Sequence, residues 1–92
     1  MATLEASLAR ETKAEPKEAY RVIVRVEGDM DMRQGQLEAL GFTIGRRLKL
    51  IRGFGSTAVG TCIKRAQRQE WIISIEPDGQ MQALDDKSPL AT

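Results

Sequence analysis

The stretch Tyr20-Arg21-Val22-Ile23-Val24-Arg25-Val26-Glu27-Gly28-Asp29 decides how the rest of this chain is read. Val22, Val24 and Val26 fall on one side of an extended backbone, and Arg21, Ile23 and Arg25 on the other. That period-two alternation, rich in β-branched residues, is a β-strand with one buried face. Gly28-Asp29 turns the chain. Asp29 or Asp31 then caps a short helix, because a carboxylate accepts from the first unpaired N–H groups and suits the positive helix end. Leu37 and Leu40 give this helix an apolar stripe, Gly35 weakens its first turn, and Gly41 ends it in a left-handed conformation.

Working outward, Phe42 and Ile44 are apolar and two apart, and Gly45 reads as a tight turn. The alternation over 46–52 predicts a second strand with Leu48 and Leu50 inward and Arg47, Lys49 and Ile51 outward. Gly53-Phe54-Gly55-Ser56 reads as a loop. A third strand is expected over 58–65, and a fourth over 69–76 with Trp71, Ile73 and Ile75 on its buried side. Pro77-Asp78-Gly79-Gln80 is a turn signal, and Met81 to Leu84 reads as a short fifth strand. Residues 1–18 end at a proline-containing stretch with no sustained period, and residues 85–92 carry acids and a Ser-Pro, so both read as flexible tails. The folded body is then 19–84, a small bent antiparallel sheet or barrel whose closure removes exposed edges.

With 92 residues, 41% of them hydrophobic and 29% charged, the chain has room for one core. It contains no histidine and one cysteine, Cys62. Imidazole is the commonest acid/base near neutral pH and a common metal ligand, so this composition argues against an enzyme and against a resident metal or cofactor. Apolar runs of two or three residues are far short of the roughly 20 that span a bilayer, and the N-terminus lacks a basic-then-apolar secretory leader. A cytoplasmic protein is the expectation. The formal net charge of +1 conceals segregation: residues 33–68 carry eight bases against Glu38 alone. Residues 69–92 carry five acids against Lys87.

The basic middle supplies the candidate site. Arg46, Arg47, Lys49, Arg52, Lys64 and Arg65, with Arg68 beyond, share one outer surface if the second and third strands pair, and such a patch meets acidic protein surfaces or phosphates. The plainer alternative is that these charges guard strand edges and keep a small domain soluble. Phe54, between two glycines, is either an exposed interface anchor or a residue packed over the end of the barrel. Among the four aromatics it alone has a place to stack on bases, which ranks nucleic acid below protein as a partner. Gly53-Phe54-Gly55-Ser56 is no phosphate cradle, lacking both Gly-Lys-Ser/Thr and a dinucleotide fingerprint. Cys62 reads as a small apolar filler in a strand. Glu27, Asp29 and Asp31 are too few for a calcium loop, so turn formation and helix capping explain them.

From Val22 to Ile51 the order of features resembles the FeoA family. The residues that carry the resemblance are the strand Val22–Val26 with Glu27-Gly28-Asp29, the helix residues Met32 to Leu40, the corner Leu40-Gly41 followed by Gly45, and Leu48-Lys49-Leu50-Ile51. Beyond residue 52 the match loosens: the loop at 53–57 lacks the family's proline, and 73–76 does not reproduce its later segment. The resemblance implies an SH3-like small barrel, mainly β, with about five short antiparallel strands and one short helix. It assigns Leu40, Gly41 and Gly45 structural roles. It further implies a non-catalytic interaction module that assists ferrous-iron transport by docking on a FeoB-type transporter, peripheral to the inner face of the membrane through that partner. A small nucleic-acid-binding barrel using residues 46–68, or an accessory subunit of another complex, is the alternative.

Overall fold

The computed structural model describes residues 2–78; the expected strand at 81–84, the tail at 85–92 and the turn beyond Asp78 lie outside the described residues. The elements are β1 (Thr3–Leu4), α1 (Ala6–Ala14), β2 (Ala19–Val26), α2 (Met30–Ala39), β3 (Thr43–Leu48), a 3-10 turn (Lys49–Ile51), β4 (Gly53–Val59), α3 (Gly60–Gln67) and β5 (Ile72–Pro77). They form one five-stranded sheet in the order β1-β5-β2-β4-β3. β2 pairs antiparallel with both β4 and β5, β3 pairs antiparallel with β4, and β1 adds to β5 in parallel. From β2 to β5 this is a β-α-β-β-α-β chain of split βαβ, or ferredoxin-like, topology.

The decisive strand behaves as its alternation requires. Val22, Val24 and Val26 are fully buried in β2. Asp29 caps α2, its carboxylate accepting from the Met32 N–H, and Leu37 is buried beneath that helix. Gly28 and Gly41 both have positive φ, at 93° and 106°, where glycine alone is unstrained.

The closed barrel is not what forms. The reason lies in residues 58–67, where the apolar, partly β-branched run Ala58-Val59…Cys62-Ile63 mimics a strand. Ile63 and Ala66, three apart, are instead the buried positions of α3, so Cys62 lies on a helix. With this helix and α2 covering one side, the sheet remains open and two-layered. The stretch expected as a loop, Gly53–Ser56, belongs to β4. The expected second strand at 46–52 starts earlier and stops at Leu48; Arg52, left-handed at φ 53°, closes the 3-10 turn and leaves Leu50 fully exposed rather than inward. In β5 a register irregularity opposite Arg25/Val26 turns Ile73 outward, so Ile72 and Ile75 are the buried pair. Gly45 is not a turn: it sits inside β3 where the register shifts between Ile44 and Arg46.

The segment expected as an N-terminal tail folds onto the same core. Glu5 caps α1 by accepting from the Leu8 N–H at 2.8 Å, and Leu8 and Thr12, four apart, are buried. Gly60 admits α1's exit: a Cβ there would lie 2.9 Å from Pro16 Cα. Tyr20 completes the joint, its hydroxyl donating to the Glu11 and Glu15 carbonyls at 2.9 and 2.8 Å. Burial, and then the charges of Glu11, Glu15 and Glu18, raise its phenol above the ordinary 10.0. A raised pKa in the folded state means that the contribution is complete below about pH 10 and is lost as pH rises through the shifted value. Alkaline unfolding followed by circular dichroism should therefore show a loss of stability above pH 10 that Tyr20→Phe reduces, while the variant is less stable than the parent at pH 7.

Candidate docking face

Sheet alternation sorts the side chains into two sides. Val24, Phe54, Arg47 and Ile75 are in register on the side that faces the helices; Ile23, Gly55, Arg46 and Glu76 are in register on the other. No described helix covers this second side, and β2 contributes Arg21 and Arg25 to it as well. At the middle of it Gly53 and Gly55 supply no side chains. Arg46 lies along Gly55, where a Cβ would come within 3.1 Å of its Cγ and Nε, and Arg25 and Ile51 flank Gly53 at an ordinary 3.5 Å from where its Cβ would be.

The open face has two ends of different chemistry. Near the 3-10 turn, Arg25 lies beside Ile51, its Nε donating to the Ile51 carbonyl at 3.4 Å, and Leu50, Ile51 and Ile73 are exposed in the adjoining turn and strand. Arg52 fixes the same turn by donating to the Gly28 carbonyl. At the opposite end is a shallow depression of about 350 Å³, lined by Arg21, Gly45, Arg46, Gly55, Ser56, Thr57 and Asp78. Asp78 is only 7% exposed; one carboxylate oxygen is 3.7 Å from the Arg46 guanidinium and the other has no partner among the described residues.

The basic residues named from the sequence do not share one surface. Arg46 is on the open face. Arg47 turns to the helix side, pairing with Asp31 and Gln34 at 2.8 Å each and lying 5.9 Å from the Phe54 ring. Lys49 and Arg52 belong to the turn at the sheet's end, whereas Lys64 and Arg65 are exposed on α3, in the layer on the other side of the sheet. Phe54 is not an exposed anchor: it is 0% exposed and is the largest fully buried side chain. Leu40 and Gly41 do lie at the end of α2, half-buried and left-handed respectively. Sequence reasoning passed over Arg21, Ile23 and Arg25, although the outward phase of the first strand already grouped them; Asp78 left no such trace, since its burial arises from packing across strands.

No family model, curated protein or solved structure matches the chain. Among the described residues no group of three or more His, Cys, Asp or Glu side chains is placed to hold a metal ion. No helix there is long and apolar enough to cross a membrane.

Proposed function

We propose that this domain is a non-catalytic protein-interaction module that docks through the open face of its sheet. The observation that carries the reading is the grouping of three arginines, Arg21, Arg25 and Arg46, on one uncovered face, with Ile51 against Arg25 at its end and Leu50 and Ile73 exposed in the adjoining turn and strand. Apolar side chains and arginines are both enriched at interface centres, and arginine is favoured there for its planar, multivalent donor set. The FeoA resemblance implies a FeoB-type transporter as that partner, although the open sheet differs from the closed barrel that the family implies. The nucleic-acid alternative lacks support in the absence of an aromatic side chain on this face.

Affinity capture from the source cells tests the reading with three forms of the full chain: the parent, R21E/R25E/R46E on the open face, and K64E/R65E on α3. The open-face variant should lose a partner that the parent and the α3 variant retain. Equal recovery by all three, or loss only with the α3 variant, overturns it. Leu50→Ser should reduce the same capture while changing folding stability by no more than about 0.5 kcal/mol, because the side chain is already in water.

A further inference from the structure

We infer that the depression at Asp78 is a seat for an uncharged amide, either a main-chain peptide group or the carboxamide of an Asn or Gln, presented by the docking partner. The inference rests on the docking reading and specifies what part of a partner enters this end of the face.

Asp78 carries an unmet acceptor among the described residues. The Asp78 N–H donates to the Arg21 carbonyl at 3.1 Å, which holds the residue at the sheet. Pro77 is in register with Val22 on the helix side, so the next residue directs its side chain to the open side. There Asp78 is nine-tenths buried and, among the described residues, one carboxylate oxygen is unpartnered and the other has only the long 3.7 Å contact with Arg46. A buried acceptor without a donor is costly, and more so when it is ionised.

The surrounding groups restrict what can satisfy it. Arg21 and Arg46 line the same depression, so an ammonium or guanidinium that reached Asp78 would enter between two like charges. A phosphate or carboxylate that reached the arginines would meet the Asp78 carboxylate. An amide avoids both penalties: its N–H donates to Asp78 and its carbonyl accepts from a guanidinium, with no net charge. Gly55 lets Arg46 lie along the sheet, its Cγ and Nε 3.1 Å from where a Cβ would be, and this brings the guanidinium to within 3.7 Å of Asp78 in the same depression, where its donors and the carboxylate can be met by one group. Asp78 thereby selects polypeptide over phosphodiester on a face whose arginines alone would accept either.

The test is an NMR titration of the ¹⁵N-labelled full chain with three probes: N-acetyl-diglycine N-methylamide for the main chain, propionamide for the side-chain carboxamide, and sodium phosphate. Ligands of this size have dissociation constants on the order of 1–100 mM. Saturable shifts at the Gly55, Thr57 and Asp78 amides with either amide probe, together with none from phosphate at equal concentration, support the inference; the responding probe identifies the source. Tighter shifts with phosphate than with both amides, or none with any probe, overturn it. Asp78→Leu should abolish the amide response. Should that variant not fold, Asp78→Asn decides: removing the charge should tighten phosphate binding by about tenfold or more, and an unchanged phosphate response overturns the inference. Partner capture by the wider arginine face is measured separately, so failure at Asp78 and failure of the docking reading give different results.

Discussion

Phe54→Ala is expected to lower folding stability by about 3–5 kcal/mol, the cost of emptying a fully buried aromatic site. The ring lies in β4, in register with Val24 of β2 and Arg47 of β3, in the core that also includes Leu37 and Ile75. The surrounding elements belong to both layers, so collapse into the vacated space requires several of them to move together. Chemical denaturation followed by tryptophan fluorescence measures the loss, since Trp71 packs at the border of the same core. A loss below about 1 kcal/mol would mean that Phe54 is exposed in solution and would restore the anchor role that its flanking glycines imply. Phe54→Leu, which keeps most of the volume, should recover a large part of the loss and leave partner capture unchanged.

Gly41→Ala should cost about 2–5 kcal/mol by adding two separate penalties. The first is conformational: φ is 106°, where a side chain is strained whatever the space around it. The second is steric, because the new Cβ would lie 2.6 Å from Cys62 Sγ on α3. The turn cannot easily relax, since the Gly41 N–H bonds to the Glu38 carbonyl and the Phe42 N–H to the Leu37 carbonyl, closing the end of α2. A double-mutant cycle separates the two penalties. Cys62→Ala in the Gly41→Ala background should recover the steric part and leave the conformational part. Strict additivity of the two substitutions would show that α2 and α3 do not meet at this point.

Features that depend on near neighbours are legible in the sequence. The first strand, its Gly-Asp turn, the Asp29 cap and the Gly41 ending form as the sequence indicates because each depends on neighbours within about four positions. The next segment misled for an equally physical reason. Leu48 and Leu50 alternate as a strand would, yet the left-handed Arg52 and the 3-10 turn before it break the extension. Residues 58–67 contain both a β-branched run and the i, i+3 pair Ile63 and Ala66; only the space between β4 and β5 selects the helix. In the first 18 residues, Leu8 and Thr12 are too sparse a stripe to announce a helix, and what holds α1 is distant: Tyr20 at its end and the bare backbone of Gly60 beside it.

Local sequence is enough to say which residues of the first strand can enter a core, how the following helix begins and ends, and that the positive charge is concentrated in the middle of the chain. These follow from side-chain periodicity and from local backbone chemistry. Tertiary structure alone decided that the sheet stays open, that Phe54 is inside and Leu50 outside, and that Arg46 stands with Arg21 and Arg25 while Arg47, Lys64 and Arg65 do not. A side chain's face depends on register between strands far apart in the chain, and a shift of one residue exchanges the two faces. The charge count therefore pointed to the right segment but could not say which side of the sheet it would arm.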